Sequence, residues 1–241
     1  MVYCYNGAKV HYRHIFRGER ETIVFLHGWG RNGDDFNQIA SYLKEYNCLL
    51  IDFPPFGESE FLTQNWNIFS YANMVACLCE HLHIQKANFV SHSFGGRILI
   101  LLASLNASLV QKCIFASGAG MKPKRGIKYH TKVWTYKISK KFGRQKLAGS
   151  SDYLALPKEM KGLFQNIVNT HLEEFAKLIK QPTLLFWGSA DNQTPVYMAK
   201  RMKKLIKNSQ LVLIKGGSHF VFIEEKLQFY FAVSQFLKER E

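Results

Sequence analysis

The chain has 241 residues, with 32 Lys and Arg against 18 Asp and Glu, and 47% of its residues are apolar. This length and apolar content are sufficient for one domain with a well-buried core. No stretch approaches the ~20 apolar residues that a membrane span needs, and the chain does not open on a signal-peptide pattern, so we expect a cytoplasmic protein. Five cysteines form an odd set, which is typical of reduced thiols.

Strand and helix patterns alternate along the chain. A hairpin is expected near residues 2–16, and six more strands are expected near 22–26, 48–52, 87–92, 111–116, 182–187 and 210–214. Helices are expected after a cap at Asn32 or Asp34, over 66–82, over 94–105 and from Thr194, with Pro195 as the first helical residue. This alternation predicts a doubly wound, mostly parallel sheet that binds ligands at the carboxyl ends of its strands.

Ser93 lies between two apolar runs, in the sequence Ser-His-Ser-Phe-Gly of residues 91–95. A nucleophilic serine on a strained turn between strand and helix needs small residues two positions before and two positions after it. Ser91 and Gly95 meet that need, although the usual pattern has glycine at the first position. The segment therefore predicts a nucleophile at Ser93.

A serine hydroxyl becomes nucleophilic only when a base removes its proton and an acid orients the base. Asp191 follows the strand predicted near 182–187, in the sequence Gly-Ser-Ala-Asp, and His219 follows the strand predicted near 210–214, in the sequence Gly-Gly-Ser-His. Both residues are therefore expected at the same sheet edge as Ser93. We predict Asp191 as the acid and His219 as the base.

The negative charge that develops on a substrate carbonyl oxygen needs main-chain N–H donors. The first is expected from Phe94, directly after the nucleophile. The second is expected from Trp29, in the sequence His-Gly-Trp-Gly of residues 27–30 after the strand near 22–26. His27 and His92 flank this region and are expected to be packing or hydrogen-bonding residues.

These stretches together resemble the α/β-hydrolase superfamily over essentially the whole chain. The order of nucleophile, acid and base is the order of that family, and the segment 52–59 resembles its structural Asp-x-Pro-x-x-Gly turn. The resemblance implies an α/β-hydrolase core at 1–117 and 181–241. It also implies a helical cap at 118–180, inserted after the sixth strand, because this connection is too long for an ordinary loop.

The predicted cap carries the excess positive charge. Residues 118–180 contain 14 Lys and Arg against 4 Asp and Glu, whereas residues 1–117 contain 9 of each. Lys124, Arg125 and Lys128 belong to its densest part and are candidate contacts for an acidic substrate or an acidic carrier protein. A solvated surface without a partner and a membrane-surface helix remain open. Nucleic acid is disfavoured, because no nucleic-acid motif accompanies the charge.

No metal or other cofactor is expected. Cys77, Cys79, His81 and His83 form two pairs at helical spacing, but the pairs point about 200° apart around a helix axis, so one metal ion could not bind all four.

The residues predict a serine hydrolase that cleaves a carboxylic ester or thioester through an acyl-enzyme on Ser93. Serine at the elbow disfavours dehalogenase and epoxide hydrolase chemistry, which need a carboxylate nucleophile. The segment 25–32 is similar to that of pimeloyl-carrier-protein methyl ester esterases, which implies a small-molecule or carrier-bound acyl ester. A carbon–carbon bond hydrolase of the same fold and a non-enzymatic binding module remain alternatives.

Overall fold

The structure is a computed structural model that describes residues 1–60, 66–124 and 156–239, with the backbone alone at 158 and 159. In this part of the chain, eight strands form one sheet. The strands are β1 (Val2–Tyr5), β2 (Ala8–Ile15), β3 (Thr22–Leu26), β4 (Asn47–Ile51), β5 (Ala87–His92), β6 (Val110–Ala116), β7 (Thr183–Gly188) and β8 (Ser209–Ile214). Each strand lies within one or two residues of its predicted position.

The helices of the described residues lie between these strands. They are a 3₁₀ turn (Gly33–Phe36) and α1 (Asn37–Tyr42), α2 (Ile68–His81), α3 (Phe94–Leu105), α4 (Lys158–Asn169), α5 (Glu173–Ala176), α6 (Val196–Leu205), α7 (Val221–Glu224) and α8 (Lys226–Lys238).

The sheet order is β1-β2-β4-β3-β5-β6-β7-β8. Strands β3 to β8 are parallel to one another, whereas β2 is antiparallel to both of its neighbours, β1 and β4. The predicted mostly parallel sheet is therefore confirmed. Because β4 and β5 lie on opposite sides of β3, the winding reverses there, and such a reversal opens a crevice at the carboxyl ends of the strands.

The apolar core forms two layers, one on each face of the sheet. In β3, Val24 and Leu26 join the layer covered by α2, α3 and α6, whereas Ile23 and Phe25 join the layer covered by α1 and α8. Successive side chains of a strand point to opposite faces, so a strand covered on both faces must be apolar throughout. This requirement explains the unbroken apolar sequence from Ile23 to Leu26 in β3.

Local sequence sets several element boundaries, among them the predicted cap at Asn32. The hairpin between β1 and β2 turns at Asn6 and Gly7, which both have positive φ. The side chain of Asn32 accepts a hydrogen bond from the Asp34 N–H and begins the 3₁₀ turn. Asn67 forms a capping box with Ser70 at the start of α2.

Helix α6 begins one residue later than expected. Pro195 is its N-cap rather than its first helical residue, and the helix starts at Val196. The Thr194 hydroxyl contacts Asp191 and Ser117.

Helices α4 and α5 lie between β6 and β7, within the predicted cap. Residues 125–155 of that cap lie outside the described residues. The division into core and cap therefore stays a prediction.

All five cysteines are free thiols, of which Cys48, Cys79 and Cys113 are buried. No described helix combines the length and apolar character needed to cross a membrane.

Helix α3 lies in direct contact with the sheet at its first turn. A side-chain carbon at Gly95 would overlap the main-chain carbonyl of Leu26 in β3. The Gly95 N–H donates to the His27 carbonyl at 3.1 Å, which holds the two backbones together. A main-chain carbonyl in a central strand cannot move aside as the end of a flexible side chain can, so this position requires glycine.

We expect Gly95→Ala to lower the free energy of unfolding by about 3 kcal/mol, because the new methyl group forces α3 away from β3. In a domain of this size, this lowers Tm by roughly 6–12 °C, which calorimetry would measure. Gly162→Ala is the matched control, since Gly162 lies in α4 with open space around its Cα. The control should keep or slightly raise Tm because alanine favours helix. A Gly95→Ala protein as stable as the control would contradict this account.

Candidate active site

Ser93 occupies the turn between β5 and α3 with φ +46° and ψ −108°. Positive φ is rare for residues other than glycine, and such strain persists only where surrounding contacts enforce it. The Ser93 N–H donates to the Ala116 carbonyl at 3.2 Å, and the Ser93 carbonyl accepts from Gly96 N–H at 2.9 Å and Ala119 N–H at 2.8 Å. These contacts hold the turn from both sides.

Ser91 stands where the usual pattern has glycine, and its surroundings explain why serine is tolerated at this position. The residue is fully buried, and its hydroxyl donates to the Ile114 carbonyl in β6 at 3.1 Å. The small side chain fits beside the turn, and its polar atom has a partner.

Asp191 and His219 form a buried pair at the carboxyl ends of β7 and β8. His219 Nδ1 lies 2.9 Å from Asp191 Oδ2 and 3.1 Å from Asp191 Oδ1. The two residues are 4% and 5% exposed. This contact fixes the proton on Nδ1 and leaves Nε2 as the ring nitrogen that can accept a proton.

The two loops that carry this pair are joined by main-chain contacts. Ser189 N–H donates to the Ile214 carbonyl at 2.9 Å, and Ala190 N–H donates to the Gly217 carbonyl at 2.9 Å. A side-chain carbon at Gly188 would overlap that same Gly217 carbonyl. Glycine at 188 therefore allows the β7 and β8 loops to meet.

Thr194 is a site residue that the sequence analysis missed. Its N–H donates to Asp191 Oδ1 at 2.8 Å, and its hydroxyl lies 2.8 Å from Asp191 Oδ2. Gln193 N–H also donates to Asp191 Oδ1 at 2.9 Å. The spacing from Asp191 could have revealed this role, because an aspartate side chain often accepts hydrogen bonds from the N–H groups two and three residues later.

These donors decide the charge of the buried carboxyl. Burial by itself would raise the pKa of Asp191, but hydrogen bonds and charge interaction with His219, together with the bonds from Thr194, outweigh burial and lower the pKa below its usual value. Asp191 is therefore a carboxylate at neutral pH.

His92 and His27 both make hydrogen bonds, as expected. His92 Nε2 lies 3.1 Å from the His219 carbonyl, so His92 donates to the main chain of the candidate base. His27 Nε2 accepts from Phe53 N–H at 2.8 Å, and Nδ1 donates to the Gly28 carbonyl at 2.7 Å. His27 thus joins the loop of Trp29 to the end of β4.

Trp29 and Phe94, the two expected oxyanion donors, line the same cavity as Ser93 and His219. Within the described part of the chain, neither main-chain N–H donates to another protein group. Gly30, with φ +72°, supports the tight turn after Trp29. Both N–H groups are therefore available to a ligand.

This cavity has a volume of about 810 Å³ and a mainly apolar lining. Its apolar side chains include Trp29, Phe56, Phe94, Met121, Leu156, Phe164, Ile167, Met198 and Phe220. Arg31 and Arg97 also line it, and none of its described lining residues is acidic.

The described part of the basic stretch borders the cavity. Pro123 lines the cavity, and the exposed Lys122 and Lys124 flank it. Lys124 Nζ lies 4.9 Å from the centre of the Tyr197 ring. Arg125 and Lys128, the other two candidate contacts, lie outside the described residues.

Among the residues with described positions, no cluster of three or more His, Cys, Asp or Glu is arranged to hold a metal ion. In α2, Cys79 is buried, whereas the His81 ring stacks on Tyr3.

Asp52 holds a loop together. Its carboxylate accepts hydrogen bonds from Gly33 N–H at 2.8 Å and Glu58 N–H at 3.0 Å, and His11 Nδ1 lies 3.1 Å away. This is the structural use that the sequence predicted for the Asp-x-Pro-x-x-Gly turn.

Comparisons with known proteins agree with this architecture. An uncharacterised hydrolase of Bacillus subtilis, YugF, is 26% identical over 90% of this chain and 89% of its own length. The pimeloyl-[acyl-carrier protein] methyl ester esterase of Vibrio vulnificus is 25% identical over 88% of this chain and 92% of its own length. The crystal structure of the enol-lactonase from Burkholderia xenovorans superposes with a TM-score of 0.81 at 21% identity, covering 99% of this chain and 100% of that one.

A family model described as the alpha/beta hydrolase fold matches residues 21–146 and 119–226, which is more than half of the chain. The order of the eight strands and the strained turn at Ser93 agree with that match. The chain therefore belongs to the alpha/beta hydrolase fold family and is a hydrolase.

Proposed function

We propose that this hydrolase cleaves a carboxylic ester or thioester through an acyl-enzyme on Ser93. One observation supports the proposal above all. A strained serine, a buried histidine–carboxylate pair and two available main-chain N–H groups meet at one cavity. Acyl transfer to serine needs all three.

In the first half of the reaction, His219 Nε2 takes the proton of the Ser93 hydroxyl as Oγ attacks the substrate carbonyl carbon. The carbonyl oxygen becomes negatively charged and accepts hydrogen bonds from the N–H groups of Trp29 and Phe94. Asp191 stabilises the imidazolium that forms. His219 then gives its proton to the leaving alcohol or thiol, the bond to that group breaks, and the acyl group stays on Ser93.

In the second half, water replaces the leaving group. His219 takes one proton from the water as its oxygen attacks the acyl carbon, and the same N–H groups bind the oxygen anion again. Collapse of this intermediate breaks the bond to Ser93 Oγ, which recovers its proton from His219. The products are a carboxylic acid and the free enzyme.

Two other histidines near the nucleophile are unsuited to act as the base. Burial lowers the pKa of His27 to about 4. Burial, followed by the nearby charge of His219, lowers the pKa of His92 to about 3. Both rings are neutral at pH 7 and already bonded to the main chain, so we assign the proton transfer to His219.

The lining favours a substrate with an apolar acyl chain. Aromatic and aliphatic side chains surround Ser93, and the volume is in the range of cavities that hold small-molecule ligands. A carrier-bound ester is also supported, because Lys122 and Lys124 flank the cavity and one relative is named for such a substrate. An acidic carrier protein would approach from this side.

A reactive phosphonate separates the competing functions. A fluorophosphonate probe should label Ser93, since labelling needs an activated serine and a formed oxyanion site. A labelled protein that turns over no ester would favour the carbon–carbon bond hydrolase. An unlabelled protein would favour the binding module.

We expect Ser93→Ala to lower kcat for a p-nitrophenyl ester at least ~10³-fold, because the hydroxyl forms the covalent intermediate. The fold should remain, since the change removes one oxygen and opens almost no space. Initial rates and a thermal melt on the same preparation would measure both effects. Substantial activity in a clean, folded Ser93→Ala protein would refute the mechanism.

We expect the free energy of unfolding to fall as pH drops from about 7 to about 5. Unfolded histidines have a pKa of about 6.5 and bind protons in this range, whereas folded His27 and His92, with pKa values of about 4 and about 3, do not. Stability is therefore greatest above pH 6.5 and declines towards pH 4. At pH 5, His27 and His92 should each lower the free energy of unfolding by about 2 kcal/mol relative to its value above pH 6.5. Urea unfolding would measure this loss.

His92→Gln should remove about half of that decline, because glutamine does not titrate. His83→Gln, at an exposed histidine, is the control and should leave the decline intact. An unchanged decline in the His92→Gln protein would contradict the assignment.

If the basic stretch attracts an acidic carrier, the triple variant Lys124→Glu, Arg125→Glu and Lys128→Glu should lower kcat/KM for a carrier-bound ester and spare a neutral p-nitrophenyl ester. The attraction is screened over about 8 Å at about 0.15 M salt, so the loss should shrink as salt rises. Kinetics with both substrates across a salt series would measure it.

The matched control reverses Lys44, Lys86 and Lys180, which precede β4, β5 and β7 and so lie at the opposite edge of the sheet. This control changes the net charge by the same amount and should not lower kcat/KM for the carrier-bound ester selectively. Equal losses on both substrates in the first variant would indicate damaged packing, and no loss on either would indicate a solvated surface without a partner.

A further inference from the structure

Arg97 is a buried positive charge inside the candidate active site. It lies on α3 one helical turn after Ser93, about 6 Å along the helix axis, and it is 7% exposed. Its side chain lines the same cavity as Ser93 and His219. A charged group is therefore close to the bond that is cleaved.

The guanidinium has no carboxylate partner in the described part of the chain. Nη1 donates to the Thr170 carbonyl at 2.6 Å, and Nη2 lies 3.4 Å from the Val168 carbonyl. These carbonyls lie at the end of α4, whose partial negative charge is favourable but is only a fraction of a full charge. Glu173, the nearby acid, is itself engaged with Arg201 and the Lys122 N–H.

Burial lowers the pKa of Arg97 to about 10, so the group remains a cation at neutral pH. A buried charge is costly unless an opposite charge and hydrogen bonds compensate for it. A guanidinium carries five N–H donors in one plane, and among the described residues Arg97 uses two nitrogens, one for each of these carbonyls. Within that part of the chain, donors remain for a further acceptor.

Two other buried or cavity cations in this chain are compensated. Lys112, which is 4% exposed, donates to the carbonyls of Phe236, Leu237 and Glu239 and so uses all three N–H groups. Arg31, the other arginine of the cavity, binds the Asp35 carboxylate through two nitrogens. Arg97 differs from both because it faces a cavity and has donors without a partner among the residues that the structure describes.

We propose that Arg97 binds a carboxylate carried by the substrate, so that the preferred esters have an anionic group in addition to the bond that is cleaved. The planar fork of Arg97 matches a carboxylate in a bidentate arrangement. The apolar side chains that line the cavity would contact the carbon chain between this carboxylate and the bond that is cleaved. This inference rests on the proposed function, because it names the substrate class of the same site.

The test compares matched neutral and anionic esters. p-Nitrophenyl hexanoate and the p-nitrophenyl half-ester of adipic acid differ by a carboxylate on the acyl side. Phenyl hexanoate and 4-carboxyphenyl hexanoate differ by a carboxylate on the leaving group. The readout is the ratio of kcat/KM for the anionic ester to that for its neutral partner, because general damage to the enzyme cancels in this ratio.

We expect the wild-type ratio to exceed one in one of the two pairs, which identifies the side that Arg97 contacts. Arg97→Met should lower that ratio about tenfold to a hundredfold, the range for a charged hydrogen bond. Arg97→Lys should retain part of the preference, since it keeps the charge without the fork. Lys200→Met removes one positive charge from an exposed side chain outside the cavity lining and should leave the ratio unchanged. A wild-type ratio at or below one in both pairs, or an unchanged ratio in Arg97→Met, would overturn the inference and leave Arg97 as a link between α3 and α4.

A binding measurement keeps the inference testable if Arg97→Met does not fold or if no ester is turned over. Monomethyl adipate should raise the Tm of the Ser93→Ala protein more than methyl hexanoate does. Equal shifts would overturn the role of Arg97. A protein that neither hydrolyses esters nor reacts with a fluorophosphonate would instead overturn the proposed function, whatever the two ligands do to Tm.

Discussion

The close contact between the start of α3 and the sheet fixes Ser93 at the sheet edge where the other groups of the candidate site gather. At Ser93 the backbone has positive φ, and Ala116 and Ala119 bind its main chain from the end of β6. Two residues later, Gly95 lies against β3 and donates to His27, next to the loop of Trp29. One turn thus sets the position of the candidate nucleophile relative to the N–H groups of Trp29 and Phe94, the candidate oxyanion donors. The strain of that turn persists because hydrogen bonds from the end of β6, from Ala119 and from the residue after β3 enforce it.

The parallel sheet brings the remaining groups to the same edge. Asp191 and His219 follow β7 and β8, which are neighbours, so their loops meet through the contact between Gly188 and Gly217. His92, at the end of β5, donates to the main chain of His219. The candidate base is therefore held from two sides, by the carboxylate on its ring and by a histidine on its backbone. A histidine held in this way keeps its orientation as it gains and loses a proton.

Three buried charges among the described residues are stabilised in different ways. Asp191 remains ionised because N–H groups, a hydroxyl and an imidazole surround it. Lys112 is saturated by the carbonyls at the end of α8, a structural use of charge at a helix terminus. Arg97 has carbonyl partners as well, but it also faces a cavity that has apolar walls and no acidic side chain among its described residues. The distribution of charge around the cavity thus favours a substrate with an anionic group.

The sequence by itself determined the strand and helix order and the candidates Ser93, Asp191 and His219, because apolar periodicity, turn residues and motif spacing are local properties of the chain. Only the tertiary structure decided which partners support them. Thr194 binds the Ser117 carbonyl 77 residues away, His92 binds the His219 carbonyl 127 residues away, and Arg97 binds the Thr170 carbonyl 73 residues away. Contacts of this kind depend on how the sheet brings distant loops together, and no local pattern encodes that distance.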